Sequence, residues 1–231
     1  MSKTFKIWIS IAVVYVAFFV WYTDLGGKLE PEEIEVFMDR LQQNSEADDT
    51  VYTEEEIKVR EAFRSNLLKF MEADTGRQFI MVNILDMNEN PGNVQGAEPG
   101  ETADQLMGRY MEHMYPELLK RASHPVFMGN AVNMVMDVVG IEGAERWDRA
   151  ALMRYKSRRT ILEIATNPKM RGKHIFKIAA LEKTIAYPVE TVLYLSDLRL
   201  LLALVLIILG QTTLFIPKKR LKYERLLGLI C

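Results

Sequence analysis

Two apolar runs stand at the ends of this chain, Phe5 to Tyr22 and Leu198 to Phe215, and everything between them is charged and punctuated. At a helical rise of about 1.5 Å per residue, roughly 18 residues nearly match the ~30 Å hydrocarbon thickness of a bilayer. The pattern predicts transmembrane helices at 5–22 and 198–215, with a water-facing region tethered at both ends. A cleaved signal peptide is the rival for the first run. Its exit, Phe19-Val20-Trp21-Tyr22-Thr23-Asp24, offers no small-residue cleavage site, although Gly26 and Gly27 follow closely. A buried core helix is the rival for the second, and the basic residues directly after it argue against that.

Lys and Arg resist translocation, so the flanks set the orientation. Lys3 and Lys6 open the first run, and Asp24 follows it. Lys218, Lys219, Arg220, Lys222 and Arg225 follow the second, opposed by Glu224. Asp197 and Arg199 roughly cancel on its other side. Both runs place the termini in the cytoplasm, including the basic tail 216–231. Residues 23–197 then face the exported side, periplasmic or extracellular. Trp21, Tyr22 and Tyr194 fall where an interfacial aromatic belt is expected.

A formal net charge of −2 gives no pull towards nucleic acid. The basic tail can attract anionic headgroups, though its first meaning is topological. Cys231 is the sole cysteine, so a single chain holds no disulfide framework, zinc–thiolate site or catalytic cysteine pair.

The exported part reads as two pieces. Residues 30–75 predict a helical hairpin or stalk. Pro31 suits a first turn, Glu32 and Glu33 suit a helix N-terminus, and Ile34, Phe37, Met38 and Leu41 recur at helical spacing. After a polar connection from Asn44 to Asp49, Thr53 and Glu56 form a capping-box pair, and Phe63, Leu67, Phe70 and Met71 make the next stripe. Such a stripe either packs on the following domain or forms an arm for a membrane-protein partner.

Residues 78–194 alternate strand and helix signals. Phe79–Leu85 reads as a strand, Thr102–Ala122 as a helix with a kink expected at Pro116, and Pro125–Val132 and Ala150–Tyr155 as strands. Met134–Ile141 is expected to extend the strand pairing through a hairpin. Ser157 caps a short helix that Asn167 and Pro168 stop. His174–Leu181 is a further amphipathic piece, and Thr184–Val189 a last strand. The order β-α-β-β-α-β predicts an α+β, ferredoxin-like domain.

Several stretches carry a family likeness: Val82-Asn83, Pro116-Glu117-Leu118-Leu119, Pro125-Val126-Phe127-Met128-Gly129, Trp147-Asp148, Leu152-Met153-Arg154-Tyr155, Ser157-Arg158, Asn167-Pro168, His174 and Ala179-Ala180-Leu181. Together, over Phe79 to Tyr187, they resemble the DUF1330-like group of the dimeric α+β barrel superfamily. The resemblance implies a homodimer paired through its sheets and a pocket between sheet and helices. Reactions in the wider superfamily are diverse, and that group has no established general one. Its members are usually small free-standing proteins, whereas here helices precede the domain and apolar runs enclose it.

The candidate pocket residues are Asn83, Tyr110, Arg154 and His174. Asn83 would orient a ligand carbonyl or be satisfied by backbone. Arg154 would clamp a carboxylate or pair with Asp148 or Glu163. Arg154 and Tyr155 must point to opposite faces, so one of them alone can reach the pocket. His174 would accept a proton or lie on an outer face with Lys173 and Lys177. Ser157 reads as a cap, not a nucleophile. His113, His124 and His174 share no metal-ligand spacing, and Met107, Met111 and Met114 read as a core stripe instead of a copper site. No Gly-rich phosphate loop is present, and no catalytic set, metal or cofactor is expected.

Two functions fit: a non-catalytic accessory, docking or dimerisation module of a membrane complex, or a membrane-tethered enzyme or binding protein for a small, largely apolar molecule. The second, of monooxygenase-like or isomerase-like type, requires the four pocket residues to converge on one cavity.

Overall fold

The structure is a computed structural model describing residues 2–47, 54–170 and 172–227. The expected Thr53–Glu56 capping pair, the end of the polar connection at Asp49, and Cys231 lie outside the described residues. In chain order the elements are α1 (Lys3–Tyr22), α2 (Pro31–Glu46), α3 (Glu54–Glu72), β1 (Phe79–Met87), α4 (Ala103–Lys120), β2 (His124–Asn130), β3 (Arg149–Tyr155), α5 (Arg158–Ala165), α6 (His174–Ala179), β4 (Leu181–Val189) and α7 (Leu198–Leu227). A short 3-10 turn follows α5 at Pro168–Met170. The chain divides into two units, one formed by both terminal segments and the other by Asp24–Thr191.

In the terminal unit α1 and α7 pack antiparallel. Arg199 Nη1 donates to Thr23 Oγ1 at 3.1 Å, and further along Trp8 and Ile11 meet Gly210. A Cβ on Gly210 would fall 2.8 Å from the Trp8 ring, so the missing side chain is what permits this approach. Among the described residues, α1 is the helix long and apolar enough to cross a membrane, with mean hydropathy 1.9 and none of that window buried. The described apolar stretch of α7 is Leu198–Thr213, and its backbone continues helical to Leu227. Phe5, Val13, Val16 and Val20 on α1, and Leu201, Leu204 and Ile208 on α7, remain exposed. Tyr22 departs from the aromatic-belt expectation: it is fully buried, stacked on Phe18 with Arg199 over its ring, while Trp21 beside it is half exposed.

The domain of residues 24–191 is built on a four-stranded sheet of order β2-β3-β1-β4, every pair antiparallel. With α4 linking β1 to β2, and α5 and α6 linking β3 to β4, this is the split βαβ arrangement. Thr102 starts α4 with a capping box, its hydroxyl accepting from Gln105 N while Gln105 caps Thr102 N. The helix runs unbroken through Pro116. Ser157 caps α5 as expected, accepting from Thr160 N.

Alternation along the strands separates the two faces. Phe79 and Met81 on β1, and Tyr155 and Met153 opposite them on β3, pack with Met114, Leu118, Tyr110 and Met111 of α4. Phe70 meets Phe79 edge-on at 5.3 Å and Phe79 stacks on Tyr155 at 5.2 Å, tying α3 into this core. The far face carries Val82, Ile84, Leu152, Phe127, Ile185 and Tyr187.

The hairpin of α2 and α3 belongs to the domain rather than standing off it. Leu29, Phe37 and Met71 enclose Leu162 of α5, with Ile34, Met38, Leu67 and Leu68 around them. Phe63, expected on this stripe, is exposed instead. A polar node secures the junction. The Asp74 side chain, 2 % exposed, accepts from Leu29 N at 2.8 Å and Gly76 N at 3.1 Å, and pairs with Arg158 Nε at 3.3 Å. Arg158 also donates to the Phe70 carbonyl, covers the Phe70 ring at 4.5 Å and pairs with Glu190 at 3.1 Å. Beside it Arg159 bridges Glu33 at 2.8 Å and Asp24 at 3.4 Å.

Met134–Ile141 is not a strand, contrary to its β-rich composition. β3 begins at Arg149, so the segment has no partner strand beside it. Two cross-loop backbone bonds, Ala131 N to the Asp148 carbonyl and Val135 N to the Glu145 carbonyl, hold its base. Val132, Met136 and Val139 stand almost fully exposed.

Candidate functional site

The four candidate residues do not line one cavity. Asn83 and Tyr110 belong to the layer between sheet and helices, His174 is an exposed residue of α6 whose ring meets Tyr110, and Arg154 points to the far face, opposite in direction to Tyr155.

Asn83 adopts the structural alternative. It is buried on β1, and its Nδ2 donates to the Met81 and Ala151 carbonyls, both at 3.2 Å. The amide thereby ties β1 to β3, where Asn83 stands opposite Ala151.

Arg154 is fully buried, yet neither expected acid reaches it. Its Nε and Nη2 donate to Gln78 Oε1 at 2.9 and 2.7 Å, and its Nη1 donates to the Ala122 carbonyl at 2.5 Å. Asp148 instead accepts from Met87 N at 2.7 Å, and Glu163 pairs with Arg121 at 2.8 Å. Ala122 adopts φ +52°, a left-handed conformation uncommon for a residue with a Cβ. The Arg154 contact on its carbonyl, and the Ser123 hydroxyl accepting from Lys156 N at 3.0 Å, both hold this turn in place.

Tyr110 and His174 do meet. Their rings are 6.0 Å apart, edge to face, with Tyr110 also bridging the Phe79–Met114 cluster to the Leu106–Phe176 cluster. Burial pushes the Tyr110 phenol up to about 12, so it remains a hydrogen-bond donor at any physiological pH. The packing around His174 and the nearby Lys177 charge hold its imidazole below the ordinary 6.5, although part of the ring remains open to solvent. Burial also lowers the Lys177 ammonium. Tyr110 of α4 is thus neighboured by His174 and Lys177 of α6. Lys177 is not among the four candidate pocket residues expected from sequence. Its i, i+3 spacing from His174 was the available signal.

The methionines Met107, Met111 and Met114 pack into the core clusters. Among the described residues no three His, Cys, Asp or Glu side chains converge as metal ligands. A groove of about 360 Å³ lies in the terminal unit, between α1 and α7.

No family model matches the chain, and no curated protein matches it. Among solved structures, the RPA0582 protein of unknown function from Rhodopseudomonas palustris is 18 % identical at a TM-score of 0.46, covering 56 % of this chain and 94 % of its own. Its methylated form gives 16 % and 0.47, covering 56 % and 91 %. A dimeric ferredoxin-like protein of unknown function from Thermobifida fusca gives 13 % and 0.30, covering 49 % and 91 %. The split βαβ order of this chain rests on its own strand pairing.

Proposed function

We propose that this protein is a membrane-anchored, exported α+β barrel module that works by docking and dimerising, not by catalysis. The observation that carries the reading is the antiparallel α1–α7 pair, whose outward faces stay apolar and exposed on both helices. Contiguous apolar surface on that scale belongs in a bilayer. Basic residues at the termini support a cytoplasmic position for both ends, with residues 24–191 outside. Within that domain Asn83 and Arg154 are committed to holding strands and a turn, which supports a structural role for them.

The far face of the sheet is the dimerisation surface. It carries an apolar set in which Phe127 and Tyr187 are 53 % and 45 % exposed, and a half-covered sheet face gains by burial against a second copy. The sequence pattern over residues 79–187 supports a place among divergent DUF1330-like, dimeric α+β barrel proteins. The exposure of Phe63 and Ile57 on α3 supports an arm open to a membrane-protein partner.

Light scattering on detergent-solubilised chain tests this. The wild type is expected as a dimer and Phe127→Glu/Tyr187→Glu as a monomer; a monomeric wild type overturns the dimer. A topology reporter fused after residue 231 is expected to work on the cytoplasmic side, and activity confined to the exported side overturns the orientation.

A second reading, binding of a small and largely apolar molecule, is favoured by the Tyr110–His174–Lys177 cluster beside the Phe176 packing. Compounds that raise the melting temperature of the wild type, but not of Tyr110→Phe/His174→Phe, support it.

A further inference from the structure

We infer that the groove between α1 and α7 near the N-terminus is a binding site for one anionic phospholipid. This rests on the membrane-anchored reading and goes further by naming a lipid class and its contacts. The groove has a volume of about 360 Å³ and is lined by Lys3, Lys6, Ile7, Ser10, Ile11, Leu206, Leu209 and Thr213. On α1 the positions 3, 6, 7, 10 and 11 recur at helical spacing and face α7; on α7 the positions 206, 209 and 213 answer them. The helices close at Gly210 against Trp8 and leave this opening beside the contact.

Its polarity is graded. Ile7, Ile11, Leu206 and Leu209 make an apolar wall, and Lys3 and Lys6 line it from the first turns of α1. The hydroxyls are already used, Ser10 Oγ donating to the Lys6 carbonyl at 3.1 Å and Thr213 Oγ1 to the Gly210 carbonyl at 2.9 Å. The two lysine head groups are therefore the donors open to a ligand. An acyl chain along the wall with a phosphate at Lys3 and Lys6 satisfies both halves, since lysine binds phosphate as a point charge and its stem lies along apolar surface. Inorganic phosphate has nothing to place on the apolar wall, and a zwitterionic lipid brings a cation next to two ammoniums.

Native mass spectrometry of the full chain in mild detergent, with phosphatidylglycerol or phosphatidylcholine added, reads the site. One retained phosphatidylglycerol is expected, with weaker phosphatidylcholine retention and no competition from inorganic phosphate. Lys3→Gln/Lys6→Gln should weaken retention about thirtyfold, two lysine–headgroup attractions being lost. Leu206→Trp, which fills the groove and leaves both charges, should abolish it. Equal retention of the two lipids, competition by inorganic phosphate, or indifference to either variant overturns the site. Carbonate extraction of native membranes separates the two readings: a chain released by carbonate sinks the anchor, whereas one that stays embedded but retains no lipid sinks the groove alone.

Discussion

Removing the Asp74 carboxylate should loosen the helical hairpin from the domain. In Asp74→Ala the Arg158 guanidinium, 10 % exposed, loses its buried partner, and Leu29 N and Gly76 N lose their acceptor. Breaking a buried ion pair from one side costs about 3–5 kcal/mol. Arg158 keeps Glu190 and the Phe70 carbonyl, which places the loss near the lower end, about 3 kcal/mol. For a unit of this size that is a fall of about 6–12 °C in melting temperature. Asp74→Asn, which retains an acceptor oxygen, should lose about half as much. The assay is near-ultraviolet circular dichroism on heating the full chain in mild detergent, run as a cycle with Arg158→Met. Because the two groups share one node, Asp74→Ala should cost less by at least about 1 kcal/mol once Arg158 is gone. Losses that simply add, or a shift below about 2 °C for Asp74→Ala, would refute the account of the junction.

Three further outcomes are expected. Gly210→Leu drives side-chain atoms into Trp8 and Ile11, so the α1–α7 pair should separate and the Trp8 environment change; an unaltered tryptophan emission spectrum contradicts the contact. Ser157→Ala removes the α5 cap and should cost about 1 kcal/mol, seen as a drop of about 2–4 °C on the same thermal trace. His174 titrates below its ordinary 6.5, so the unfolded chain takes up that proton first. The stability it contributes is complete above about 6.5 and drains away as pH falls through the lower folded value. His174→Phe should therefore flatten the melting profile between pH of about 7 and 5, and an unchanged slope removes the assignment.

What was readable from sequence is what depends on neighbours along the chain. The two apolar runs, the Ser157 cap, the stop at Asn167-Pro168 and the Met107–Met111–Met114 stripe all follow from local spacing. The cap and the methionine stripe have their expected structural counterparts, α5 ends at Ala165 just before Asn167, and the two apolar runs are helical, with Leu198–Thr213 the described apolar part of the second. The misreadings arose where a distant partner decides. Met134–Ile141 has strand composition, but a strand exists only where another lies beside it, and β3 starts too late to serve. Arg154 is expected either to clamp a carboxylate or to pair with Asp148 or Glu163, yet it donates to Gln78 and to the Ala122 carbonyl at the left-handed turn. Asn83 and Tyr110 lie in the layer between sheet and helices, where strand alternation and helical period put apolar neighbours around them. Neither signal could show that Asn83 spends its amide on two backbone carbonyls.

The α1–α7 pairing also governs what the domain becomes when it melts. Thr23 and Arg199 meet across the helix pair, so wherever that pair stays packed the intervening chain is a closed loop whether or not its sheet is folded. Closing a ring beyond 100 residues withholds on the order of 5 kcal/mol of disorder from the unfolded ensemble, much as a covalent crosslink does. A single proteolytic cut in that ring would leave two pieces still clasped at the helices, and refolding would start from ends that never drift apart.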